Sequence, residues 1–171
     1  MTDRVYLDAN ASEALRPEAL DAVVSALALP GNPASVHGHG RHARKLLEAA
    51  RDHIAGCFDA DSDGVVFTSG GTESDALAIH ALGQGRRLLI GATEHDAIRA
   101  AAPDGRVLPV RQDGVLDLAA LEAALGEPGP PALVCLMLAN NETGVLHPIE
   151  AAAALCRSHG ARLHVDAVQA A

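Results

Sequence analysis

Val65-Val66-Phe67 runs into Thr68-Ser69-Gly70-Gly71-Thr72-Glu73-Ser74-Asp75, after which Ala76, Leu77 and Ile79 follow at helical spacing. The pattern predicts a buried strand that enters two glycines and leaves as a helix. Glycine lets a backbone turn tightly and approach a ligand closely. A helix start presents unpaired N–H groups at the positive end of its dipole, and Thr72 adds a hydroxyl at the same place. These residues form a cup suited to a phosphate. Neither nucleotide loop is present, because the glycine spacing is not G-x-G-x-x-G and no G-x-x-x-x-G-K-[ST] occurs. Taken alone, the stretch reads first as an ordinary strand-to-helix turn with a good N-cap.

From residue 64 onward, short apolar runs alternate with helix-length segments. The runs at 64–68, 86–91, 106–110, 132–138 and 162–166 read as strands, and 72–82, 95–102, 117–125 and 148–159 read as helices. This alternation implies an α/β fold, a mostly parallel sheet with crossover helices. Residues 1–63 form a helical and loop segment ahead of it. There Pro17 opens a helix carrying Leu20, Val23, Val24 and Leu27, and Pro30-Gly31 closes it. A second amphipathic helix sets Leu47, Ala50, Ile54 and Cys57 on one face and Arg44, Glu48 and Asp52 outside. The expected division is therefore 1–63 and 64–171.

The 171 residues suit one domain or a large part of a larger one. Apolar content of 49% supports a core, filled by alanine, leucine and valine because Tyr6, Phe58 and Phe67 are the aromatic residues. A net charge of −9 argues against nucleic acid or a membrane surface as partner. Cys57, Cys135 and Cys156 are widely spaced and form neither a disulfide framework nor a metal clip, which fits a reducing cytoplasm and buried structural thiols. The start Met1-Thr2-Asp3-Arg4 lacks a signal pattern, so a soluble cytoplasmic protein is expected. His37, His39 and His42 cluster without a tetrahedral ligand set, so they are read as loop residues and no metal is assigned.

The strand ends carry the polar residues. After 86–91 comes Thr93-Glu94-His95, after 132–138 comes Asn140-Asn141-Glu142-Thr143-Gly144, and 162–166 closes on Asp166 with Gln169 beyond it. Parallel strands deliver such residues to one edge. Each has an ordinary use: His95 and Asp166 as caps, Asn141 in a turn, Gln169 in solvent. Jointly, a phosphate cup, a ring-sized imidazole and a carboxylate suit pyridoxal 5'-phosphate (PLP). Its phosphate needs an anion site, and its ring nitrogen needs an acidic partner that keeps it protonated as an electron sink. Asp166 is the candidate for that nitrogen and His95 for stacking on the ring. Asn141 and Gln169 can donate to the ring hydroxyl.

At this point a family resemblance emerges. Tyr6-Leu7-Asp8-Ala9-Asn10-Ala11, Gly31-Asn32-Pro33-Ala34-Ser35-Val36-His37, Thr68 to Asp75, Thr93-Glu94-His95, Asn140 to Gly144 and His164-Val165-Asp166-Ala167-Val168-Gln169 occur in order over almost the whole chain. They resemble the amino-terminal half of the cysteine desulfurases, within the class V aminotransferase superfamily. The resemblance implies the large domain of fold-type I PLP enzymes in a homodimer. It implies phosphate binding by Gly71 and Thr72, ring stacking and proton relay by His95, contact with the ring oxygen from Asn141 and Gln169, and pairing of Asp166 with the ring nitrogen. The implied reaction converts L-cysteine to L-alanine and passes sulfur through a persulfide to an acceptor protein, as in iron–sulfur cluster assembly. A selenocysteine lyase, another class V aminotransferase or lyase, and a non-catalytic truncated chain are the alternatives.

The family's cofactor lysine, persulfide-forming cysteine and substrate-carboxylate arginine belong downstream of the Asp-x-x-Gln segment. Lys45 is the sequence's lysine and lies in a helical pattern of the first third, so it is no substitute. None of the three cysteines is assigned as nucleophile. The expectation is an incomplete large domain, as a fragment or a truncation, inactive by itself and with an uncovered apolar face.

Overall fold

The computed structural model describes residues 4–170, so the Met1–Asp3 start lies outside the described residues. It resolves into two compact units, Met1–Phe67 and Thr68–Ala171; the sequence expectation set the boundary after residue 63.

The first unit contains helix α1 (Pro17–Leu27), helix α2 (Gly38–Cys57) and a 3-10 turn at Ser62–Gly64. Pro17 sits at the first helical position of α1, where its missing N–H costs nothing. None of the residues of α1 is buried, and Leu20, Val23, Val24 and Leu27 all remain exposed. In α2 the buried residues are Gly40 and Ala55. The expected apolar face is therefore only partly covered: Leu47 is half-buried, whereas Ala50, Ile54 and Cys57 are exposed. His37 caps α2, its Nδ1 accepting the Gly40 N–H at 3.3 Å.

The expected strand at 64–68 is not formed. The Arg51 guanidinium donates to the Val65 carbonyl and sits 5.1 Å from the centroid of the Phe67 ring. That carbonyl is thereby engaged by a side chain rather than a ladder, and Val66 and Phe67 stay exposed instead of entering a core.

The second unit is α/β. In chain order it runs α3 (Gly71–Leu82), β1 (Arg87–Gly91), α4 (Asp96–Ala101), β2 (Arg106–Leu108), α5 (Leu118–Gly126), β3 (Ala132–Met137), α6 (Ile149–Ser158) and β4 (Arg162–Asp166). The sheet order is β2-β1-β3-β4 and every pair is parallel. Register aligns Ile90 with Cys135, and Met137 with Asp166.

All six residues of β3 are buried, as a central parallel strand covered on both faces requires. Their side chains alternate. Ala132, Val134 and Leu136 join a core with Leu121, Ala124 and Leu125 of α5 and Ala152 and Cys156 of α6. Leu133 and Cys135 join Ile79 of α3 and Ile98 of α4 on the other face. Leu121, Leu133 and Val134 are 0% exposed, and each contributes roughly 1.5–3 kcal/mol by leaving water. Among the described residues no helix is long and apolar enough to cross a membrane.

Candidate functional site

Gly70 is the N-cap of α3, in extended backbone, and supplies no side-chain cap. The first helical bond closes from the Ser74 N–H to the Gly70 carbonyl at 3.1 Å. The N–H groups of Gly71, Thr72 and Glu73 precede it, at the positive end of the helix dipole. The turn around them is braced from outside. Thr68 Oγ1 lies 2.7 Å from Ser74 Oγ and donates to the Gly70 carbonyl, and Glu73 reaches back to accept the Ser69 N–H at 2.6 Å. Hydrogen bonding from Ser69, from its side chain first and then its backbone, holds the Glu73 carboxyl below its ordinary range. A side chain at Gly71 would meet Val168 Cγ2 at 3.9 Å, so the start of α3 lies beside the loop that leaves β4. Thr72 is exposed there.

Beyond β1 the chain folds back on itself, with the Glu94 N–H donating to the Gly91 carbonyl at 3.3 Å. His95 then caps α4, its Nδ1 accepting the Ala97 N–H at 3.1 Å. Acceptance at Nδ1 places the proton of the neutral ring on Nε2. The imidazole is exposed. Capping and site duty are thus compatible in His95, because the cap uses one nitrogen.

Past β3, the two asparagines divide the work. Asn140 is buried; its Oδ1 accepts from the N–H of Glu142 and of Thr143 and from the Thr143 hydroxyl, and its amide donates to the Thr93 carbonyl at 3.2 Å. It thereby ties the β3 loop to the β1 loop. Asn141 is half-buried and its amide donates to Glu142 Oε1 at 3.1 Å. His147 adds a second tie. Its Nδ1 accepts the Leu116 N–H at 3.1 Å, which leaves Nε2–H to donate to Thr93 Oγ1 at 3.0 Å. Burial lowers its pKa, consistent with a neutral ring in both bonds.

Asp166 ends β4 half-buried, and its Oδ1 accepts the Val168 N–H at 3.0 Å. Gln169 is half-buried in the turn at 168–170. Two residues before Asp166, on the same face of the strand, His164 Nε2 lies 3.0 Å from Asp75 Oδ1 on α3. Burial raises the Asp75 carboxyl most, and the charge of Asp166 raises it further. Glu94 is 5% exposed; burial, with added repulsion from Asp166 and Asp75, pushes its carboxyl up to about 8. Three acids therefore influence one another beneath this edge.

Of the six residues singled out from sequence, Gly71 and Thr72 open α3, and His95, Asn141, Asp166 and Gln169 follow the carboxyl ends of β1, β3 and β4. The chain brings them to one edge of the sheet. Sequence reasoning gave no role to Asp75, Glu94, Asn140, His147 or His164, all of them buried or half-buried polar residues. The alternation of β4 was the available signal for His164, which shares a strand face with Asp166. For His147, in a loop without periodicity, there was none.

The chain is similar to known proteins over nearly its whole length. A cysteine desulfurase of Cereibacter sphaeroides is 44% identical over 98% of this chain and 46% of its own length. The crystal structure of a NifS-like protein from Rickettsia africae superposes with a TM-score of 0.90 at 33% identity, over 97% of this chain and 48% of that one. A C-DES variant with glycine covalently linked to its PLP cofactor superposes at 0.80 and 25% identity, over 99% and 48%. The chain spans a little under half the length of these relatives. The profile of the aminotransferase class-V family matches residues 5–171, and the chain belongs to that family.

Proposed function

We propose that this chain carries the cofactor cradle of a PLP-dependent cysteine desulfurase, which converts L-cysteine to L-alanine and transfers the sulfur as a persulfide to an acceptor protein. The observation that carries the reading is the juxtaposition at one sheet edge of an uncapped helix start, an imidazole and a carboxylate. A side chain added at Gly71 would meet Val168, in the loop that follows Asp166, at 3.9 Å.

The residues present fit the cofactor. Nothing lies within 4 Å of where a side chain at Gly70 would begin, so a phosphate has room at the start of α3. The N–H groups of Gly71 and Thr72 and the Thr72 hydroxyl would hold it. Asp166 would pair with the ring nitrogen, His95 would cover the ring, and Asn141 and Gln169 would donate to the ring oxygen. When bound, PLP supplies an electron sink that lets a substrate α-proton leave. Asp166 would present its carboxylate to the ring nitrogen. His95, held by its Nδ1 cap, has Nε2 for proton exchange at the substrate side. The buried ties through Asn140 and His147 keep the two loops from drifting apart, a condition for holding a ring between their residues.

The test is a PLP titration of the purified chain followed by absorbance, beside pyridoxal without phosphate. PLP is expected to bind more tightly than pyridoxal, and Asp166→Ala is expected to lose more activity than Thr72→Ala in the protein from the complete reading frame. Equal binding of PLP and pyridoxal would overturn the phosphate cup. A polypeptide limited to residues 1–171 is expected to release neither sulfide nor alanine from cysteine, because Lys45 belongs to α2, Cys135 and Cys156 are buried, and Cys57, exposed against the expectation of a buried thiol, is the last residue of α2.

A further inference from the structure

Glu94 is buried with one oxygen engaged and one not. Its Oε1 accepts the Met137 N–H at 2.8 Å, while Oε2 is fully buried and has no hydrogen-bond partner. The bond joins the loop after β1 to the last residue of β3. It is possible because position 91 is glycine: a side chain there would start 2.7 Å from Glu94 Oε1 and 3.2 Å from Leu136 Cδ2. Glu94 is thus folded beneath Gly91, and the next residue in the chain is His95. Arg99 of α4 braces the same loop from its other side, donating to the Glu94 carbonyl at 3.3 Å and to the Ala92 carbonyl.

We propose that Glu94 is a positioning residue, a carboxyl clamp that draws the loop bearing His95 onto the end of β3 and so fixes where the imidazole stands. An unpartnered buried oxygen is costly for a carboxylate and far cheaper for a neutral acid. Burial favours the neutral form most, and the charges of Asp166 on β4 and Asp75 on α3 add to it, against the Met137 N–H bond and the Arg99 charge. The clamp therefore works by shape and one hydrogen bond, not by charge, and a neutral amide can replace it.

The role of the clamp in catalysis rests on the reading of His95 as the residue that covers the cofactor ring. The position of His95 can be read without cofactor, from its imidazole resonances in the NMR spectrum of the full chain, assigned by their loss in His95→Gln. Glu94→Gln is expected to leave those resonances in place and PLP affinity within about twofold, since its carbonyl can still accept the Met137 N–H. Glu94→Ala is expected to move the resonances and weaken PLP about tenfold, the equivalent of one hydrogen bond's net contribution. Gly91→Ala should move them in the same way and add nothing on top of Glu94→Ala, which also covers the case where Glu94→Ala folds poorly. Unmoved resonances in both Glu94→Ala and Gly91→Ala, or a Glu94→Gln chain as disturbed as Glu94→Ala, would overturn the clamp. A wild-type chain that binds no PLP would sink the cofactor reading instead, while the imidazole resonances still judge the clamp.

Discussion

The two faces of the sheet are built on different terms. Against α5 and α6 the core is a large apolar cluster, from Leu89 and Leu108 through Leu121 to Cys156. Against α3 and α4 the apolar cluster is smaller, and the space toward the carboxyl edge is taken by Asp75 and His164. One face stabilises by excluding water. The other accepts the cost of buried polar groups where the candidate site lies, as functional sites commonly do. Substitutions on the two faces should therefore separate stability from binding.

The largest effect is expected on the apolar face. Leu121 is 0% exposed in a close-packed cluster, so Leu121→Ala should cost about 2–5 kcal/mol in denaturant unfolding. Its PLP affinity, measured well below the transition, should stay at the wild-type value. A loss of binding as large as the loss of stability would mean that the faces are not separable.

Next comes the pH dependence, which belongs to the buried titratable residues. Folding raises the Glu94 carboxyl from 4.5 to about 8, so between those values the folded state holds a proton that the unfolded state has released. By linkage, stability then falls as pH rises from 4.5 to about 8 and levels off above it. A displacement of this size is worth on the order of a few kcal/mol. Asp75, also raised, acts in the same direction. His147 has the opposite sign: its pKa is lowered from 6.5, so it costs stability as pH drops below that value. Glu94→Gln should flatten the alkaline decline and leave the His147 limb intact, as followed by melting temperature against pH. An unchanged decline in Glu94→Gln would assign it to other groups.

A smaller effect is expected from Asp75→Ala, which removes the partner of a half-buried imidazole and should cost about 1–3 kcal/mol. Asp75→Asn keeps an acceptor for His164 and should recover most of it. If the asparagine variant is as unstable as the alanine one, the pair depends on the carboxylate rather than on an acceptor alone.

The contrast also explains what was legible in the sequence. The apolar face was, because strand and helix periodicities are properties of the local pattern: 132–138 and 162–166 became β3 and β4, and 117–125 became α5. The placement of His95 and Asp166 at one edge followed from parallel order alone. The segment 64–68 has the apolarity of a strand, yet a strand needs a neighbour, and the Arg51 bond to Val65 is a tertiary fact. Asn140 and Asn141 differ by one position, and only the register of β3 decides which turns inward. Glu94 is the least legible, since its burial depends on Gly91 leaving space and on Met137 offering an N–H.

The smallest expected effect sharpens the comparison at two helix starts. On the apolar face, Asp117 caps α5 by accepting the N–H groups of Ala119 and Ala120. On the polar face, α3 begins at Gly70 with no side-chain cap, though Gly70 is in extended backbone that other residues adopt and its side-chain position is open. A cap there would satisfy N–H groups that the proposed function reserves for a phosphate. Gly70→Asp should thus stabilise the chain by roughly 0.5–1 kcal/mol through capping and dipole attraction. The same carboxylate should weaken PLP binding, by occupying the donors and repelling the phosphate. Asp117→Ala should do the reverse of the first effect and none of the second, costing roughly 0.5–2 kcal/mol with PLP affinity unchanged. If Gly70→Asp gains stability while PLP binds as before, the open helix start is a structural accident and the phosphate is held elsewhere.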